Sequence, residues 1–156
     1  MGCKRNSKGH QESWIGYKLH LDTVAADFPI SAVLTSASVH DWQAAIPLAQ
    51  RTAQRVTSLS DLRDRAYDTP QIHAFSRALG PVPIIDPNPR AGEKLPFAPA
   101  RAQRFKERSA SERVNRLLKE HYGGRWVRVR GAAKVMCHLM FGLVALTATA
   151  LFARLC

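Results

Sequence analysis

Phe105-Lys106-Glu107-Arg108-Ser109-Ala110-Ser111-Glu112-Arg113-Val114-Asn115-Arg116-Leu117-Leu118-Lys119 is the stretch on which the fold turns. Wound as a helix, it sets Phe105, Arg108, Glu112, Asn115, Arg116 and Lys119 along one stripe, at offsets of three, four and seven. Val114, Leu117 and Leu118 form a separate apolar patch that can face a core. The stripe carries one carboxylate with cations above and below it. A metal-bound phosphodiester needs such a set: an acid to hold a divalent cation and cations to hold flanking phosphates. A solvated helix face with ordinary i,i+4 ion pairs satisfies the same spacing, so the stripe alone leaves both readings open.

Outward from this stretch, charge narrows the choice. The 156-residue chain is long enough for one domain with a sizeable core. It carries 23 Lys and Arg against 12 Asp and Glu, a net charge of +11, with pI ≈ 10.3. Eleven of the cations and three Glu fall between Arg101 and Lys134, so that third holds most of the excess. The imbalance favours a polyanionic partner, nucleic acid first and an anionic membrane second. Cys3, Cys137 and Cys156 are far apart and make no Cys-x-x-Cys or Cys/His pattern. Neither a zinc site nor a disulfide framework is expected, and a reducing cytoplasm is the expected compartment. Residues 1–12 lack the apolar run of a secretory signal.

Taken in order, residues 1–13 read as a disordered basic arm and 14–156 as one domain. Trp14 to Val24 alternates, with Tyr17, Leu19, Leu21 and Thr23 on one face, and pairs with a second strand at 30–35 as a hairpin. Asp41 caps a helix over 42–54 that buries Trp42, Ala45, Ile46 and Ala49. Residues 56–64 form a weak strand. Asp68-Thr69-Pro70 opens a helix that Gly80 closes. Val82 to Ile85 is an edge strand because Pro83 cannot donate to a ladder. A Pro-rich linker spans 86–100, and six of the nine prolines fall between Pro81 and Pro99. The charged helix stops at Gly123-Gly124, Trp126 to Arg130 is extended, and 132–155 is a long apolar helix. This order suggests an α/β or α+β domain.

At Asp64-Arg65-Ala66-Tyr67, and again at 105–119, the chain resembles insertion-sequence transposases of the DDE type, of the IS-four and IS-five kind, with an RNase H-like catalytic domain. In that family the second catalytic aspartate stands in an Asp-x-[Gly/Ala]-[Tyr/Phe] context, which Asp64, Ala66 and Tyr67 match. The catalytic glutamate lies in Tyr-x2-Arg-x3-Glu-x6-Lys, matched by Arg108, Glu112 and Lys119 with Phe105 at the Tyr position. Gly16 to His20, Ala37 to Asp41, Gly124-Arg125 to Gly131 and Lys134-Val135 also resemble it. The resemblance covers about 14–155.

It implies Asp64 and Glu112 as catalytic metal ligands, Mg²⁺ as cofactor, and transposon-end DNA as substrate for cleavage and strand transfer. Arg108 and Lys119 would grip that DNA, and Arg116, Arg125, Arg128 and Arg130 would extend the contact to phosphates. Phe105 cannot donate the Tyr hydroxyl's hydrogen bond. The family's first aspartate sits on a central first strand for which no candidate stands upstream of the hairpin. The resemblance therefore implies a truncated, catalytically incomplete copy, with the hairpin either paired to the strand ending at Asp64 or detached from it. A homo-oligomer, or a complex with an intact copy, is the expected assembly. His20 and His40 read as packing or surface histidines, and Trp14, Trp42 and Trp126 as core.

Two alternatives stand beside this reading. One is a DNA-binding protein without catalysis. The other is a small membrane protein: Val135 to Ala153 is long enough to span a bilayer, with His138 its only ionisable group and Arg125, Arg128, Arg130 and Lys134 on its N-terminal side. The Ala- and Thr-rich second half and the match to the family's last helix favour a soluble helix packed on a sheet.

Overall fold

The computed structural model describes residues 2–5, 9–24, 26–87 and 96–155. Six strands and five α-helices follow in order: β1 Gly2–Arg5, β2 Gln11–Trp14, β3 Tyr17–Val24, β4 Phe28–Ser36, α1 Asp41–Ala53, β5 Ser60–Arg63, α2 Pro70–Leu79, β6 Val82–Ile85, α3 Pro99–Phe105, α4 Ser109–His121 and α5 Ala132–Leu155. Single 3₁₀ turns follow β5 (Arg65–Tyr67) and α3 (Lys106–Arg108). The strands make three separate ladders: β1 with β2, β3 with β4, and β5 with β6.

The β3–β4 hairpin is built as the alternation dictates, with Leu19 opposite Leu34 and Leu21 opposite Ala32. Its register slips between Asp22 and Thr23, where Thr23 faces Pro29. Proline offers no N–H there, so the strand bulges at Ile30. Arg55 donates to the Ile30 carbonyl from beyond α1 and satisfies it. At the hairpin turn Ala26 and Asp27 take left-handed φ values of 82° and 67°. Arg113 on α4 clasps the Asp27 carboxylate through Nε, 3.0 Å from both oxygens, and through Nη2 at 2.8 Å. That fork holds a turn whose backbone costs about 1 kcal/mol per left-handed residue.

One core lies between this hairpin, α4 and α5. Ala32, Val114, Leu118, Leu143 and Leu146 are buried together, with Leu19, Leu21 and Leu117 packed around them. Gly124 N–H donates to the Leu118 carbonyl at 2.8 Å across Gly123 (φ 76°), a left-handed end to α4 that turns the chain toward α5. Gly142 lets α5 come close: a Cβ there would stand 2.3 Å from the Tyr122 carbonyl oxygen.

A second, smaller core holds Ala45, Ile72 and Ile85 where α1 meets the β5–α2–β6 unit. Here β5 and β6 run parallel, Asp61 opposite Pro83, with α2 as the crossover that a parallel pair requires. The Thr69 side chain accepts from Ile72 N–H, Pro70 takes the first turn, and Gly80 (φ 107°) ends the helix as the sequence signals. Pro83 does lie on an edge strand, since among the described residues β6 pairs only with β5.

Several expectations are corrected. Residues 2–5 and 11–14 are paired strands rather than a disordered arm. Their ladder rests on backbone pairing and shows no apolar alternation for a pattern to reveal. Residues 6–8 lie outside the described residues, as do 88–95 of the expected linker. The stretch 105–119 is not one unbroken α-helix: it holds the last residue of α3, the 3₁₀ turn at Lys106–Arg108 and most of α4. Of the two forms expected for Trp126 to Arg130, a short strand or an extended arm, the strand is absent among the described residues. Trp42 is exposed, because the small residues Ala44, Ala45 and Ala49 seat α1 instead, and Trp126, between α4 and α5, is exposed as well. The side chain of Trp14 lies outside the described residues.

The hairpin is detached from β5, one of the two arrangements anticipated. Among the described residues no strand lies between β3 and β5, so the outer edge of each carries no ladder. A Gly142→Ala chain is expected to lose about 1–3 kcal/mol of stability, since the new methyl meets backbone that cannot rotate away. A lower urea midpoint at unchanged slope measures it.

Candidate functional site

The two open strand edges and the polar side of α4 face a single cavity of ≈ 1580 Å³. Asp64, Arg108, Asn115, Lys119, Arg125 and Arg130 all line it. Asp64 arrives there because β5 ends at Arg63 and the chain turns at once: its Oδ1 accepts from Ala66 N–H at 2.8 Å and caps the 3₁₀ turn. Arg63 beside it donates to Asp61 at 2.9 Å and lies over the Tyr67 ring, 5.5 Å from its centre. The Tyr67 phenol is pushed up to about 12, first by burial and then by the Asp41 and Asp64 carboxylates, with Arg63 opposing. The phenol is therefore neutral at physiological pH.

α4 contributes the other wall. Val114 and Leu118 anchor it in the core, and Arg108, Ser111, Asn115 and Lys119 line the cavity. Arg108 bonds Glu112 at 2.8 Å across one turn and lies over the Phe105 ring at 5.6 Å. Phe105 packs on Phe97 with ring centres 5.2 Å apart. The ring at this position thus serves as a platform for the guanidinium. Asn115 Nδ2 is spent on the Ser111 carbonyl at 2.9 Å. Lys119 is exposed and makes no ion pair among the described residues. Arg116 reaches Glu120 only at 4.0 Å. Arg125 covers the Trp126 ring at 5.8 Å, and Arg125, Arg128 and Arg130 are all exposed.

The structure does not bring Asp64 and Glu112 onto one wall. Glu112 lines a neighbouring hollow of ≈ 690 Å³, with Arg116 and Glu120. Among the described residues no three His, Cys, Asp or Glu side chains stand together as a metal ligand set. The Arg108 pairing occupies one carboxylate oxygen of Glu112, and the turn cap occupies one of Asp64.

Sequence reasoning treated Asp41 only as a cap. The structure places it in the first turn of α1, bonded to Lys18 at 3.1 Å and lining both hollows. His40 stands at the cap position in its place, and its backbone N–H bonds Gln43. His20 shares a hydrogen bond with Thr35 Oγ1 at 2.9 Å, and burial lowers its pKa. Asp22, which no motif marks, lies half-buried on the cavity wall and accepts from Thr52 Oγ1 at 2.7 Å, while Thr52 meets Ser31 Oγ at 2.6 Å. Burial raises its pKa above the ordinary carboxylate value.

Comparison with known families gives one finding: the family model for the transposase DDE domain matches residues 2–148. No curated protein and no solved structure matches the chain.

The Asp22 carboxyl binds its proton more tightly folded than unfolded, so the folded chain holds more protons between 3.8 and the raised value. Stability therefore falls as pH rises through that window. Asp22→Asn keeps an acceptor for Thr52 and removes the half-buried charge. It is expected to raise the urea midpoint at neutral pH, with the gain shrinking as pH falls toward 3.8. Midpoints measured across pH read the effect directly.

Proposed function

This chain belongs to the transposase DDE-domain family, and on that footing we propose that it is an insertion-sequence transposase of the IS-four and IS-five kind, a DNA-binding component whose catalytic site is incomplete in this chain alone. The family acts in DNA transposition and generally uses divalent metal ions. The observation that carries the reading is the convergence of Asp64 with Arg108, Asn115 and Lys119, which lie far from it in sequence, on one cavity.

Asp64 and Glu112 hold the positions of metal-ligand carboxylates in this reading, within an RNase H-like arrangement of 14–156. As the side chains lie, the residues do not fit a two-metal centre, which needs several shared carboxylate oxygens. No chemical step is assigned to them. What the chain's own groups can do is bind. Lys119 stands free on the shared wall of both hollows, and Arg125, Arg128 and Arg130 continue an exposed cationic strip beside it. Such a strip suits phosphate oxygens of a duplex. Arg108, held by Phe105 and Glu112, and Arg116 flank it. Mg²⁺ would enter this scheme with a further carboxylate supplied from outside these residues. The cytoplasm, where chromosomal DNA lies in bacteria, is the compartment this reading assigns.

The membrane reading rests on α5, which is long and apolar enough to cross a bilayer. Its Val135, Leu139, Gly142, Leu143 and Leu146 face is buried within the described residues, and Arg154 near its end donates to the Ala26 carbonyl at 3.0 Å. Immersing α5 would carry the charged Arg113–Asp27 clasp toward lipid, at high cost. The soluble reading is favoured on that ground.

Binding of a labelled duplex, followed by fluorescence anisotropy, tests the proposal. Affinity is expected to fall steeply between 50 and 200 mM salt. Arg125→Ala, Arg128→Ala and Arg130→Ala combined should flatten the salt slope by about 0.9 per lost phosphate contact. A salt-independent affinity would overturn phosphate recognition. With Mg²⁺ or Mn²⁺ and a transposon-end duplex, this chain alone is expected to leave the DNA intact. Cleavage that Glu112→Ala abolishes would show the site to be complete.

A further inference from the structure

β3 and β5 each turn an unpaired main-chain edge to the large cavity. Val82 N–H donates to the Leu59 carbonyl at 3.0 Å, and Asp86 N–H to the Arg63 carbonyl at 3.2 Å. Residues 59, 61 and 63 therefore direct their main chain to β6, and alternation directs that of Ser60 and Leu62 away from it. On β3, Gly16 accepts from Ala37 N–H at 2.8 Å, so Lys18 and His20 pair with β4 while Leu19 and Leu21 present their main chain to the open side. Among the described residues no main-chain group pairs with these four. The two edges lie alongside each other in opposite directions. Lys18, near the start of β3, bonds Asp41, whose carboxylate acts on the Tyr67 phenol just past the end of β5. Asp22, further along β3, feels the charges of Asp61 and Arg63 within β5. Helices cover the gap on both sides. α1 spans one side, from Thr52 on Asp22 to Ala45 against Ile85 of β6. On the other, Leu118 of α4 packs with Leu19 and Leu21, while Arg104 of α3 reaches Ser60 Oγ at 3.3 Å. Every residue of 18–24 and of 60–63 is half-buried, whichever side its chain takes.

We propose that this gap is a docking site for an extended peptide segment of a partner protein, apolar on both faces, which adds as a strand between β3 and β5. The proposal goes beyond the transposase reading and does not depend on DNA binding. Three observations select that occupant. Main-chain edges on both sides call for another peptide main chain, which neither lipid nor a nucleic-acid strand supplies at the repeat of a ladder. Helices on both sides call for apolar side chains at successive positions, the pattern of a strand buried on both faces. Charge sets the ends. Arg104 stands beside Ser60 at the start of β5, and Lys119 lines the hollow of Leu19 and Asp41 at the start of β3. Neither has an acidic partner among the described residues, so acidic residues suit the two ends of the segment. Because the edges oppose each other in direction, the added strand runs parallel to one and antiparallel to the other. About five residues, roughly 17 Å of strand, cover the length of β5.

Fluorescence anisotropy of a labelled probe peptide titrated with the full chain is the first test. The probe carries five alternating valines and isoleucines between two acidic pairs. Micromolar affinity is expected, and a proline at its central position should abolish binding. Successive residues of a strand turn their N–H groups to opposite neighbours, so N-methylation of the odd residues disarms one edge and of the even residues the other. Each set is expected to weaken binding at least tenfold. Residue-resolved hydrogen exchange reads the same event from the chain's side and needs no substitution that might unfold it. The amides of Leu19, Leu21, Ser60 and Leu62 should exchange at least tenfold more slowly with the probe bound, while those that join β3 to β4 and β5 to β6 hold their rates. No binding at millimolar probe, or equal binding by the proline-bearing probe, overturns the proposal. So does an N-methylated set that binds as well as the parent, or protection confined to one of the two strands, since either would mean addition at a single edge.

Discussion

The structure depends on one packing event: α4 driving Val114 and Leu118 between the β3–β4 hairpin and α5. Both side chains are almost wholly buried, and Gly142 brings α5 into backbone contact with the end of α4. Once that face is fixed, geometry leaves Arg108, Asn115 and Lys119 no direction except the cavity. Packing and site are thus two faces of one helix. Arg113, on a third face, reaches back to Asp27 and fixes the hairpin turn against the same helix. A change that loosened α4 would move the cationic wall, the hairpin and α5 together.

The cavity owes its size to strand edges that face each other without joining. β3 spends one edge on β4, and β5 one edge on β6. Each free edge is a template for a further strand. Its walls already neutralise much of their own charge: Lys18 with Asp41, Arg63 with Asp61, Arg108 with Glu112. The half-buried Asp22, bonded to Thr52 on the cavity wall, has its pKa raised by desolvation. Among the described residues, Arg104 and the strip from Lys119 to Arg130 are left without an acidic partner. The electrostatic case for a polyanion therefore rests on that strip far more than on the net charge of +11.

Local signals were legible where local forces decide. The β3–β4 hairpin shows in the alternation of Leu19 and Leu21, α2 in Thr69-Pro70 and Gly80, and α5 in its unbroken apolar run. The β1–β2 ladder was not legible, because backbone pairing between polar strands leaves no hydrophobic period. The 3₁₀ break at Lys106–Arg108 escaped because a tightened turn changes the stripe's geometry without changing its residues. Asp64 and Glu112 could be matched to a motif, but whether they share a wall depends on how β5 sits against α4, which no spacing encodes. The second role of Asp41 was hidden by a sufficient local explanation, a helix start. Trp42 misled because size suggested burial, whereas the close seat of α1 is made by alanines.

The apolarity of α5 looks like a membrane signal only while the helix is read as uniform. Divided by position, it is two lines at the same spacing on opposite sides, one filled by the chain's own core and one open. The inner line makes α5 a wall of the core, through Leu143 and Leu146 beside Ala32 and Val114, and Arg154 at the far end of the helix reaches the Ala26 carbonyl of the hairpin turn. Mean apolarity therefore says little about α5; which side of the helix the hairpin and α4 already cover says more.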